Sequence, residues 1–184
     1  MRVNEKTNKL VQTALLACVI LVSTMLFKVP IPGTQGYIHL GDGMIFLAVL
    51  ILGVKYGAIA AMIGSAMGDI LGGYAAWAPW TIGIKGMMAL ILGVFIMQSM
   101  KSVSGNMTAR HGMQYIGMLF AGLFMTAGYY GAEVIMYGNP MVALLGIPWN
   151  IAQFVVGMVV ATALSSALCK TSAKKYFAFP CHNS

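Results

Sequence analysis

Apolar residues fall in runs near 10–27, 43–54, 56–73, 81–100, 113–137 and 147–169, and short polar or Gly/Pro-marked connections separate them. A helix of about 20 apolar residues crosses the hydrocarbon core of a bilayer. The pattern therefore predicts an all-α integral membrane protein, a compact bundle of six transmembrane helices forming a single membrane domain over 1–184. The second run, about a dozen residues long, is short for a span. It is either half of one bent span or a separate helix ended by the basic turn Gly53-Val54-Lys55-Tyr56-Gly57.

Positive charge favours the turn. With six spans and a cytoplasmic N-terminus, Arg2, Lys6, Lys9, Lys55, Lys101, Arg110, Lys170, Lys174 and Lys175 share the inner side, while Lys28 lies outside and Lys85 within the fourth span. That is the positive-inside arrangement, and merging spans two and three would send 101–110 to the wrong side. The expectation is a multi-pass protein of the cell membrane with N- and C-termini cytoplasmic.

Composition narrows the class. Of 184 residues, 59% are hydrophobic and 8% charged, which excludes an ordinary water-soluble domain. The net charge of +7 is scattered over loops and tails, without the basic stripe of a nucleic-acid binder. The first run follows basic residues as a signal peptide would, but no small-x-small site precedes Lys28, so it is read as a retained helix. Cys18, Cys169 and Cys181 have no metal-ligand spacing, and neither a disulfide nor a metal site is expected. Small residues form ridges at Ala60/Gly64/Gly68/Gly72, at Gly157/Ala161/Ser165, and at Thr13/Ala17 with Ala14/Cys18. Such ridges serve close packing within the bundle or docking on another membrane protein.

Ionisable groups inside a membrane are costly and mark function. Asp42, Asp69, Lys85 and Glu133 all fall in the outer half, as do His39, Tyr74, Trp77, Trp80, Tyr129, Tyr130, Tyr137, Asn139, Trp149, Asn150 and Gln153. Thr126, Tyr129 or Tyr130, Glu133 and Tyr137 make one stripe at helical spacing, and Trp149 or Asn150, Gln153 and Gly157 make another. Facing stripes of this kind would line an outward pocket for a flat ring. Structural roles compete: Asp42 as a helix N-cap, Asp69 paired with Lys85, Lys85 snorkelling to the interface, the tryptophans in an interfacial belt, and His39 as a loop contact. Three acids against one lysine favour a neutral or weakly cationic heterocycle. The acids are too dispersed for an enzyme, and the inner halves are too apolar for a channel, which leaves a membrane scaffold as the rival.

The stretches Gly36-Tyr-Ile-His-Leu-Gly-Asp-Gly43, Gly53-Val-Lys-Tyr-Gly57, Gly64-Ser-Ala-Met-Gly-Asp69 and Ala78-Pro-Trp-Thr-Ile-Gly-Ile-Lys-Gly86 resemble the substrate-binding S components of energy-coupling factor (ECF) vitamin transporters. The likeness is greatest to a subgroup assigned to hydroxymethylpyrimidine or pyridoxine and grouped with riboflavin S components. It implies a six-helix fold that captures a small vitamin from outside, with Gly36, Tyr37, His39, Gly41 and Asp42 in a gate loop. It also implies a pocket drawn from Tyr74, Trp77, Trp80, Lys85, Tyr129, Tyr130, Glu133, Asn139, Trp149, Asn150 and Gln153. The partners would be two ATPase subunits and a membrane coupling subunit, docked on helix one at Thr13, Ala14, Ala17 and Cys18, a degenerate form of the family's Ala-x-x-x-Ala patch. No Walker sequence occurs, so this chain needs no cofactor of its own and the ATP would be used by the partners. Riboflavin and pantothenate are alternative cargoes; pantothenate suits the charge count less, being an anion without a ring.

Overall fold

The computed structural model describes residues 5–31, 37–102, 107–179 and 181. The chain runs α1 (Glu5–Leu26), a short hairpin of β1 (Val29–Pro30) and β2 (Tyr37–Ile38), α2 (Gly41–Leu52), α3 (Val54–Leu71), α4 (Ala78–Ser102), α5 (Met107–Tyr137), α6 (Pro140–Leu144) and α7 (Gly146–Cys169). Single turns of 3-10 helix precede α4 at Ala75–Trp77 and follow α7 at Ser172–Tyr176. Five helices, α1, α3, α4, α5 and α7, are long and apolar enough to cross a membrane.

Helix α2 is the exception, and burial explains it. Eleven of its 12 residues are buried, and it packs on α1, α3, α4 and α7. A helix of 12 residues is too short to face lipid along a full span, but one enclosed by protein has no such requirement. Gly53 ends it with a left-handed φ of 81° and donates its N–H to the Val49 carbonyl at 2.9 Å. The predicted break between the second and third runs therefore exists, but it is Gly53 alone: α3 starts immediately after it, and Lys55 lies in the first turn of α3.

α1 lies outermost. Thr13, Ala17, Ile20 and Thr24 form its buried stripe, and the small-residue ridge of α3 receives them. A Cβ at Gly64 would stand 2.5 Å from the Ala17 carbonyl oxygen and 2.8 Å from the Ile20 Cβ. Packing inside the bundle thus occupies the α3 ridge and the Thr13/Ala17 half of the α1 patch. Ala14 and Cys18 remain exposed.

The helices alternate in direction, so Asn8, Ile51, Leu168 and Tyr176 share one groove, and Lys55, Lys101, Arg110 and Lys170 fall at that same end. We call it the basic end and the opposite one the site end. Two expectations are corrected. Cys169 and Cys181 form a disulfide at the basic end; they are 12 positions apart and meet because the chain reverses after α7. The connection expected at 138–146 contains α6, which starts with Pro140 after Asn139 caps it by accepting the Met141 N–H at 3.0 Å.

Candidate functional site: a polar-aromatic cavity under a hairpin

The hairpin between α1 and α2 lies over the site end. Val29 pairs with Ile38 and Pro30 with Tyr37. Tyr37 donates its hydroxyl to the Asp69 carboxylate of α3, and its ring lies 4.5 Å from that of Tyr74. Lys28 covers both rings, with its Nζ 4.2 and 4.5 Å from their centroids, a cation–π arrangement that pins the hairpin. Burial, followed by the neighbouring Asp69 charge, raises the Tyr37 phenol well above its ordinary range and keeps it a donor.

Beneath the hairpin a chain of polar contacts joins four elements. The His39 N–H donates to Gln153 Oε1 of α7 at 2.9 Å, and Gln153 Nε2 donates to Asp42 Oδ2 of α2 at 2.8 Å. Lys85 of α4 donates to the other Asp42 oxygen at 2.5 Å. Both partners are fully buried, so each charge depends on the other. The Lys85 ammonium also lies 2.9 Å from Met125 Sδ and 5.1 Å from the Tyr129 ring centroid. His39 Nδ1 accepts the Gly41 N–H at 3.0 Å, which requires an unprotonated nitrogen there. Burial and then the Lys85 charge push the His39 pKa down to about 3, so the imidazole is neutral.

Above this chain sits a cavity of about 30 Å³, room for a water or two. Trp77 and Tyr129 form an aromatic wall, their centroids 6.1 Å apart, with Tyr137 edge-on to Trp77 at 6.2 Å. Thr81 fixes the Tyr129 hydroxyl at 3.2 Å. Tyr37, His39 and Ile31 supply the roof, and Glu133, Asn150 and Gln153 the polar side. Glu133 is buried to 2% exposure, and its Oε2 has no hydrogen-bond partner among the described residues.

Several expectations change here. Asp42 is not the cap of α2: Leu40 holds that position, and the Asp42 side chain turns inward to Lys85. Asp69 does not pair with Lys85, because Tyr37 takes the first acid and Asp42 takes the lysine. Nor does Lys85 snorkel, being wholly buried. It lies below the cavity and does not line it. Trp77, Tyr129, Glu133, Asn150 and Gln153 converge on the cavity, whereas Tyr74, Trp80, Tyr130, Asn139 and Trp149 do not line it. Tyr74 stacks under Lys28, Trp80 packs on the core, Asn139 caps α6, and Trp149 is 39% exposed. Of the expected gate loop, Tyr37, His39, Gly41 and Asp42 are placed as above, and Gly36 lies outside the described residues.

Sequence reading missed Thr81, Met125 and Gly146. Gly146 starts α7 against Glu133, and a Cβ there would come within 2.5 Å of the carboxylate. A glycine at the start of an apolar helix carries no sign of that role.

Residues 4–170 match the family described as ECF-type riboflavin transporter, S component. An uncharacterized protein in the gap 3′ region of Pyrococcus woesei is 34% identical over 149 residues, covering 81% of this chain and 93% of that protein. The thiamine precursor transporter HmpT of Lactococcus lactis subsp. cremoris (strain MG1363) is 28% identical over 169 residues, covering 91% of this chain and 92% of that one.

Proposed function

Since the chain belongs to the ECF-type riboflavin transporter S component family, and so is a multi-pass, non-enzymatic membrane transport protein, we propose that its cargo is a single-ring, amino-bearing vitamin precursor of the hydroxymethylpyrimidine type. The observation that carries this reading is Glu133, a buried carboxyl facing the cavity with an unpartnered oxygen. Leaving such a group unsatisfied is costly, and a ligand with adjacent N–H and ring-nitrogen groups removes the cost. Trp77 and Tyr129 offer faces for a flat ring, and Asn150 offers a donor and an acceptor for its substituents. The cavity supports one ring over a three-ring flavin, because a volume of about 30 Å³ must open least for the smaller cargo. The name of the Lactococcus relative points the same way. Pyridoxine is the nearest competitor in size and shape.

In this reading the hairpin is the gate. Ligand arrives when Tyr37 and His39 lift away, and the contacts to Asp69 and Gln153 re-form over it. The basic end faces the cytoplasm of a cell whose membrane holds the protein, and energy comes from a module of two ATPases and a membrane coupling subunit. The docking surface is the apolar groove between α1 and α3, about 390 Å³, lined by Ala14, Cys18, Ile59, Ile63 and Met67. Thr13 and Ala17 lie at its floor and also hold α1 to α3.

A tryptophan-fluorescence titration of detergent-solubilised protein tests the cargo, using hydroxymethylpyrimidine, pyridoxine, riboflavin, thiamine and pantothenate. Saturable quenching by hydroxymethylpyrimidine, weakened at least tenfold in Glu133→Gln, is expected. Preference for riboflavin or pantothenate would overturn the assignment.

A further inference from the structure

We propose that Cys169 and Cys181 are a reversible thiol–disulfide site that fastens residues 171–179 as a strap over the basic end of α2. The strap is built before it is tied. Thr171 turns the chain at the end of α7, its N–H and hydroxyl both donating to the Leu168 carbonyl at 3.0 and 2.8 Å. The returning chain then reaches α2: the Ala178 N–H donates to the Ile51 carbonyl at 2.9 Å, one of the carbonyls left free by a helix ending at Leu52. Phe177 and Phe179 pack on the apolar core, and Cys181 closes the loop onto α7.

Without the tie, this segment has few reasons to stay. Its 3-10 turn has no buried residue, and Lys174 and Lys175 stand exposed. Among the described residues, the contacts that hold it include one backbone hydrogen bond to α2, two half-buried rings and the disulfide. The disulfide itself borders a cavity of about 60 Å³ beside Leu50, His111 and Ser165.

Where the strap lies gives the site its consequence. It holds the Ile51 end of the same buried helix whose other end carries Asp42, and Asp42 fixes Lys85 and Gln153 under the hairpin. The inference adopts from the proposed reading only that the basic end faces the cytoplasm, where disulfides are uncommon and those present are often redox-responsive. Reduction by two small thiols of the glutathione class opens the S–S bond, leaves two cysteine thiols and releases one oxidised small disulfide. Exchange with that oxidised disulfide runs the reaction back.

The test needs no vitamin. In a Cys18→Ser background, maleimide mass-tagging of acid-quenched membranes counts thiols, and trypsin probes Lys170, Lys174 and Lys175. The expected result is no tag on oxidised protein, two tags after dithiothreitol, recovery on adding oxidised glutathione, and tail cleavage about tenfold faster in the reduced form. Cys181→Ser and Cys169→Ser should each carry one tag both before and after dithiothreitol and be cleaved at the rate of the reduced form. Two tags under every condition, or equal cleavage in both redox states, would overturn the proposal. Because neither readout involves cargo, its failure is separate from failure of the vitamin assignment.

Discussion

Lys85 is wholly buried, and its countercharge is Asp42 at 2.5 Å. Removing one member of a buried pair strands the other, at a cost of about 3–5 kcal/mol, while replacing both by apolar groups is often near neutral. Lys85→Met and Asp42→Asn should each lower the thermal midpoint of the detergent-solubilised protein sharply, and Lys85→Met combined with Asp42→Leu should recover most of the loss. A double variant no better than the singles would show that the two residues are not coupled. His39 adds a pH dependence of definite sign. Its folded pKa of about 3 lies below the ordinary 6.5, so if the hairpin opens as the proposed gate, between those values the opened form binds more protons than the closed one. Closure is then at full strength above about pH 6.5 and weakens as the pH falls toward 3. Ligand dissociation, followed by tryptophan fluorescence, should speed up on acidification, and His39→Gln should flatten the profile. At this scale the sequence singled out the charged residues, and the structure replaces the pairing it offered for Asp69 and Lys85. Asp42, Asp69, Lys85 and Glu133 stood out because charge is rare in apolar runs, but spacing along one helix cannot say which neighbour a side chain meets across the bundle. Tyr37, a loop tyrosine with no periodic signal, was what diverted Asp69.

Helices were legible where their function is to bury or span. Five of the six apolar runs correspond to the long apolar helices, and the sixth is the enclosed α2. Their ends were less legible: α1 begins at Glu5 and α5 at Met107, both in polar sequence, because a helix continues past the hydrocarbon boundary wherever backbone hydrogen bonding still favours it. The contact between α1 and α3 yields a prediction at this scale. The groups a side chain at Gly64 would meet include the Ala17 carbonyl oxygen, which belongs to backbone and cannot rotate aside. Gly64→Val should therefore push α1 off α3 and cost about 1–3 kcal/mol, as overpacking does, with the loss read as a lower thermal midpoint. Ala14→Leu, on the exposed side of α1, should leave that midpoint within about a degree.

At the scale of the whole molecule, the proposed ligand cavity and the proposed docking groove are separate: the hairpin, the 3-10 turn before α4, α5 and α7 build the first, and α1 with α3 the second. The positive-inside pattern already placed the basic loops other than the one at Lys28 at one end, but the division between cavity and groove could not be read from the sequence, since the four small residues of α1 look equivalent until Thr13 and Ala17 turn out to face α3. If capture and coupling are separate, they should fail separately. Ala14→Leu with Cys18→Leu fills the groove without touching the cavity, so purified protein should quench with hydroxymethylpyrimidine at an unchanged Kd. The same variant should lose co-purification with the coupling subunit and reduce uptake by intact cells more than tenfold. Glu133→Gln should do the opposite, retaining the complex while losing the ligand. A groove variant that still takes up vitamin at the normal rate would show that the coupling subunit docks on another face.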